Sequence, residues 1–243
     1  MRSIACTAAF ALLFVFAAVA PRARAAGAYG DWSSRRSSHF ELFQDVAIER
    51  YSGRDGSRAF ERDLLEVLES AHDRLRDAIG VEPRGRVRVF VYDPDVFDAS
   101  HSARFGFRAA GFWDGAIHVR GGAQVDARIV ATLAHEYLHA ALASLAPAGI
   151  WPAWLNEGLA EHFERETLGI AGLHAQERAE LAGAAARGGW LPLAALGGAS
   201  FAGLDEPTAR LAYLESYACV ERILREYGRD RVERLIEEVA TTR

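Results

Sequence analysis

His135-Glu136-Tyr137-Leu138-His139 sets two imidazoles four residues apart, with a carboxylate beside the first. On a helix, residues at that spacing project from one face, so both rings can reach a single metal ion. Glu136 then stands beside the ion without binding it, where a general base for an activated water belongs. The chemistry such a triplet offers is metal-assisted hydrolysis.

A helix must carry these residues. Over 125–145 the apolar residues Ile129, Val130, Leu133, Tyr137, Leu138, Ala141, Leu142 and Leu145 recur at helical spacing and form a broad stripe. His135, Glu136 and His139 share the opposite arc with Thr132 and Ala143, whose small side chains leave room for an ion and a substrate. A catalytic zinc takes three protein ligands and keeps one position open, so a third donor is expected. It is sought in Trp151-Pro152-Ala153-Trp154-Leu155-Asn156-Glu157-Gly158-Leu159-Ala160-Glu161. Pro152 suits the first turn of a new helix after the breaker run Ala146-Pro147-Ala148-Gly149, so this segment can fold back along the first helix. Leu155, Leu159 and Phe163 would face the core, leaving Glu157, Glu161 and Glu164 on another side. Glu157 is the expected third ligand, and Glu161 or Glu164 is placed to accept a hydrogen bond from a ligating imidazole. His162 points off that face. His39, His72, His101, His118 and His174 lack partners at metal spacing and are expected to serve as ordinary hydrogen-bonded or surface histidines.

At these residues the chain resembles the gluzincin metallopeptidases, among them the bacterial peptidase-MA-like proteins and, more distantly, the aminopeptidase-N family. HEYLH followed by WLNEGLAEHF is similar to the family's HExxH and WLNEG pair, with seventeen residues between His139 and Glu157. The resemblance implies a zincin-like fold and a downstream tyrosine whose phenol stabilises the tetrahedral intermediate. In Leu211-Ala212-Tyr213-Leu214-Glu215-Ser216-Tyr217, Tyr213 sits at the matching distance from Gly228, although Glu-Ser stands where that branch has Lys-Gly; Tyr217, one turn on, is the reserve. The resemblance also implies an antiparallel edge strand that pairs with an extended substrate, for which 109–112 or 117–119 would serve. Asp114-Gly115 between these stretches is a tight-turn signal. The Gly-Ala-Met-Glu-Asn segment with which aminopeptidases grip a free amino terminus is absent, so the expectation is an endopeptidase rather than an exopeptidase.

The amino terminus speaks to compartment. Arg2, an apolar run over 4–20, Pro21 and then Ala23-Arg24-Ala25 compose a secretory signal peptide cut near Ala25 or Ala26; a retained anchor is the alternative, the run being borderline for a membrane span. Residues 1–26 are thus assigned to the signal and Cys6 goes with it. The cysteine left, Cys219, lies beside Val220 and Ile223 and is expected to be a small buried side chain. A secreted chain without an internal disulfide fits a bacterial periplasm. All 28 basic residues are arginine, the net charge is −5, and no basic patch interleaves with aromatics, so nucleic acid is not an expected partner.

The expected fold class is α+β, in one domain of two lobes. A small α/β lobe over 27–124 would hold strands at 38–44, 86–92 and 116–119 and a helix at 57–79. A helical zinc-binding lobe over 125–243 would hold helices at 125–145, 153–166, 173–187, 206–227 and 229–240, with a loop at 188–203. The resulting expectation is a secreted or periplasmic zinc peptidase acting on a peptide or protein: His135, His139 and Glu157 hold Zn2+, Glu136 acts as base, and Tyr213 meets the oxyanion. Two alternatives remain open. One is a non-catalytic envelope binding protein stabilised by the same zinc, which would have no use for Glu136; the other is a hydrolase of non-peptide bonds sharing every site residue.

Overall fold

Alternation along the central strand anchors the sheet. In β3 (Val87–Tyr92) Val87, Val89 and Val91 are buried while Arg88 is exposed, the period-two pattern of a strand packed on one face. A computed structural model describes residues 32–48, 56–147 and 149–241, so the expected signal segment lies outside the described residues. With β1 (Ser33–Arg36), β2 (Phe40–Gln44), β4 (Gly111–Trp113) and β5 (Ile117–Arg120), β3 forms a five-stranded mixed sheet in the order β1-β2-β3-β5-β4. The β2, β3 and β5 strands run parallel, in a register that aligns Leu42, Val89 and Ile117, and the two outer strands are antiparallel to their neighbours. The β4–β5 hairpin turns at Asp114-Gly115 as expected, and Gly115 takes a φ of 102°, which suits a residue without a Cβ. Residues 117–119 are not a sheet edge, however. Their strand is paired on both sides, so among the described residues β4 is the strand that offers free backbone groups beside the histidine helix.

Two helices cover the inner face of the sheet. In α1 (Gly56–Ile79) Phe60, Leu64, Leu68, Ala71 and Leu75 are buried at helical spacing. The α3 helix (Ala127–Leu145) starts at Asp126, whose carboxylate accepts from the Ile129 N–H at 3.0 Å. Tyr137 ties the pair together, its hydroxyl 2.7 Å from His72 Nδ1. Below them lie α4 (Ala153–Thr167), α5 (Ala175–Ala186), α7 (Glu206–Tyr227) and α8 (Arg229–Thr241). One buried cluster runs from Phe40 through Leu133 and Leu155 to Ile236, so the two expected lobes share a single core.

Three expectations need correction. The β1 strand and the helix α2 (Pro94–His101) are additional elements, and 188–203 is interrupted by a short helix, α6 (Leu193–Leu196). The far arc of α3 borders open space as expected, through His135, Glu136, His139 and Ala143, although β4 packs on Thr132 and Glu136 and both are buried. Cys219 is exposed even though its neighbour Val220 is buried, because adjacent helical residues point about 100° apart.

The outer face of the sheet carries an aromatic layer built on His118. This ring stacks between Phe90 and Phe112, at 5.2 and 4.6 Å. Its Nδ1 lies 2.7 Å from the Tyr92 hydroxyl, which donates to it, and its Nε2–H donates to Asp114 at 3.0 Å. A neutral imidazole satisfies both partners. Burial outweighs the pull of Asp114 and holds the ring's pKa down to about 4. The unfolded ring titrates near its ordinary value of about 6.5, so below that pH the unfolded chain takes up a proton that the folded one refuses. This contribution is therefore complete above about pH 6.5 and is lost as the pH falls toward 4, by up to about 3 kcal/mol. Chemical denaturation of wild type and His118→Gln at several pH values should show a flatter stability profile for the variant across that interval. Parallel profiles would contradict the assignment.

Candidate metal centre

The histidine helix and the helix that follows it run antiparallel, since His135 meets Glu164 and His139, one turn on, meets Asn156. After α3 the chain re-enters helix behind Pro152, which occupies the N-cap position with φ −58°. The Ala153 N–H donates to the Gly198 carbonyl at 2.7 Å and anchors the start of α4. Leu155, Leu159 and Phe163 turn into the core as their spacing requires, which leaves Glu157 facing α3. Gly158 lets α4 lie directly on α7, since a Cβ there would stand 2.5 Å from the Ser216 carbonyl oxygen.

Three expected ligands meet. Glu157 Oε2 lies 3.2 Å from His135 Nε2 and 3.4 Å from His139 Nε2, and one donor atom from each residue falls within 4.8 Å of the others. The opposite ring nitrogens are engaged elsewhere: His135 Nδ1 lies 3.2 Å from Glu164 Oε2, and His139 Nδ1 lies 3.0 Å from Asn156 Oδ1. With Nδ1–H donating to these acceptors, each Nε2 turns its lone pair toward the point that Glu157 also faces. Two imidazoles and one carboxylate fit zinc with one coordination position to spare. Electrostatics agree. Burial disfavours the charged forms of all three, yet the carboxylates raise the pKa of His135 and His139, and the imidazoles pull Glu157 well below the usual carboxylate range. The group is thus a balanced cluster in which a cation can replace the protons on the rings.

Glu136 joins the cluster without joining the ligands. It is buried, and that burial raises its pKa despite the nearby imidazoles. Tyr213 comes from α7 to the same place, with its ring 6.4 Å from that of His135, and lines the same cleft. Burial, followed by the Glu157 and Glu136 charges, raises its pKa well above that of an ordinary phenol, so it keeps its proton. Tyr217 is elsewhere: it packs on His162 and under the Arg165 guanidinium, 4.6 Å from its ring centre. Both carboxylates expected behind the ligands lie near His135, with one atom of each within 4.8 Å of its ring, but it is Glu164 that hydrogen-bonds the ring, while Glu161 also pairs with Arg165 at 3.7 Å. His39, His72, His101, His118 and His174 all lie outside the cluster.

A cleft opens on this group. The larger part, about 410 Å³, runs from His139 and Asn156 to Trp113, Ile150 and Trp151; the smaller, about 190 Å³, lies beside Glu161 and Glu164. Neither comparison identifies a relative. No known family model matches the chain, and no similar sequence is found among the curated proteins.

Three contributors escaped the sequence reading. Asn156 stood inside the quoted WLNEG segment, next to the ligand, and its position one residue before Glu157 was the signal available. Gly111 lets β4 approach α3, for a Cβ there would meet Thr132 Cγ2 at 2.6 Å and Glu136 Cγ at 3.2 Å. Phe107 borders both parts of the cleft and has no pattern that marks it.

The contrast between the two carboxylates is measurable. Removing the acceptor behind His135 with Glu164→Ala should weaken zinc binding by about ten- to a hundredfold. Glu161→Ala should change it far less. Competition against a chromophoric chelator reads both, and the reverse order would mean that the wrong carboxylate holds the ring.

Proposed function

We propose that this chain is a zinc-dependent peptidase of gluzincin type, with a zincin-like fold, working outside the cytoplasm in a secreted or periplasmic setting. The observation that carries the reading is the pairing of a three-donor group with a fourth buried carboxylate, Glu136, that holds no ligand position yet faces the same cleft. A purely structural metal site has no work for that residue. A hydrolase needs it.

When bound by His135, His139 and Glu157, zinc supplies a Lewis acid that polarises the scissile carbonyl and acidifies water to a pKa of about 7. Glu136 takes the proton from the attacking water and delivers it to the departing amine nitrogen. Burial favours that role by making its protonated form accessible. Tyr213, protonated and aimed at the cluster, donates to the oxygen on which charge develops. Glu164 and Asn156 keep the imidazoles turned inward. The β4 strand presents its free edge beside α3, where an extended peptide adds as a further strand. Phe105, Phe107, Trp113, Ile150 and Trp151 give the larger part of the cleft an apolar lining that suits a large apolar side chain.

Incubating the zinc-loaded mature protein with a diverse peptide library, and mapping the products by mass spectrometry, tests this directly. Chelator-sensitive cuts beside large apolar residues are expected. A zinc-loaded protein that leaves every peptide intact would point to the binding-protein alternative.

Two substitutions divide the labour. Glu136→Gln should retain zinc and lose most of the activity, while Tyr213→Phe should lower turnover by about a hundredfold, near 3 kcal/mol, with little change in substrate binding. Tyr217→Phe serves as control because its ring lies on Arg165. Zinc loss in Glu136→Gln, or equal turnover in all three tyrosine forms, would contradict these roles.

A further inference from the structure

Between α2 and β4 the chain passes the metal group twice. Phe105 borders the larger part of the cleft, Phe107 both parts and Arg108 the smaller; the return through Ala110 and Gly111 to Trp113 crosses back the other way. The returning limb is the sheet edge. The outgoing limb leaves the sheet and reaches the helices: the Gly106 N–H donates to the Ala202 carbonyl at 2.9 Å, and the Gly106 α-carbon packs so closely on Leu204 that an added Cβ would collide with its carbonyl oxygen. Phe107 meets Tyr213 edge-on, with ring centres 6.1 Å apart. The same limb stays tied to the sheet through the Arg104 guanidinium, 4.2 Å over Phe112 and 3.3 Å from Asp114, and through Phe105, 5.7 Å from Phe112. Contacts therefore run from the sheet to the residues before α7 and to Tyr213, passing where the two parts of the cleft share Phe107 and Tyr213.

We propose that this latch, closed at Gly106, roofs the metal site and limits it to peptides that thread a free chain end between the latch and β4. The inference rests on the peptidase reading of the same site. A peptide lying along β4 sits about 4.8 Å from it, and the latch then lies on the peptide's far side. A linear oligopeptide enters such a passage from either part of the cleft. A segment tethered at both ends to folded domains has no end to insert, and it enters only if the latch gives up the Gly106 hydrogen bond and the Phe107–Tyr213 contact. The substrates are therefore short or unfolded peptides with a free terminus, although the bond cut can lie several residues from that terminus.

One cleavable sequence, offered as a free linear peptide and as a flexible linker between two folded domains, tests the roof without changing the local chemistry. Wild type should cleave the free form more than about tenfold faster, as kcat/KM. Gly106→Ala, which drives a Cβ against Leu204, should narrow that gap. Two readouts do not depend on turnover. Zinc-loaded Glu136→Gln should bind the linear form and not the tethered one in fluorescence anisotropy, and hydrogen exchange should find the Gly106 amide protected in wild type. Equal cleavage or equal binding of both forms, or a Gly106 amide exchanging as fast as a free chain, would overturn the latch. If neither form is cut, the peptidase reading fails, while exchange and binding still judge the roof. Should Gly106→Ala not fold, the wild-type pair and the exchange measurement decide.

Discussion

A carboxylate buried between two imidazoles is the interaction around which this molecule is arranged. Glu157 is almost wholly buried, and an isolated charge there would cost several kcal/mol. It is tolerated because His135 and His139 face it from α3, and because Glu164 and Asn156 fix the far sides of those rings. The helix pair must therefore hold a narrow range of depth and rotation. Gly158, the next residue after Glu157, sets the depth on the other side by letting α4 rest on the backbone of α7. Ser216 at that contact is three residues from Tyr213, so one close approach positions both Glu157 and the phenol.

The sheet completes what the helices begin. A free-edged β4 reaches α3 because Gly111 has no side chain, and the hairpin behind it is pinned by His118 between Tyr92 and Asp114. Asp114 also binds Arg104, so the aromatic layer on the outer face and the latch beside the cleft share a residue. The sheet and the helices share one core, which lets a sheet-borne edge and the helix-borne His135–His139–Glu157 cluster keep a fixed relation.

Much of the site was legible because its signals are local. A four-residue spacing on one helix, and a carboxylate on the next, place His135, Glu136, His139 and Glu157 without knowledge of anything distant. The α+β order and the long helices were legible for the same reason, since their periodicities extend over several turns. What could not be read depends on contacts between remote segments. Tyr213 and Tyr217 differ by one turn, and only the packing of α7 on Gly158 decides which of them faces the cluster. Both 109–112 and 117–119 look like strands, and only the sheet order makes one of them an edge. The four-residue β1 and the eight-residue α2 are too short to display a period. Cys219 was misjudged from its neighbours in sequence, which on a helix do not share its direction. The bond between Gly106 and Ala202 joins two loops about a hundred residues apart and leaves no trace in either.

The account requires a zinc site with three protein donors and one position left for water or substrate. X-ray absorption at the zinc edge, on the fully loaded mature protein, reads that coordination directly. It should find two imidazoles, a carboxylate oxygen and one further oxygen that a hydroxamate displaces, with no sulfur. A sphere closed by four protein ligands, or one lacking the imidazole signature, would contradict a hydrolytic centre at His135, His139 and Glu157.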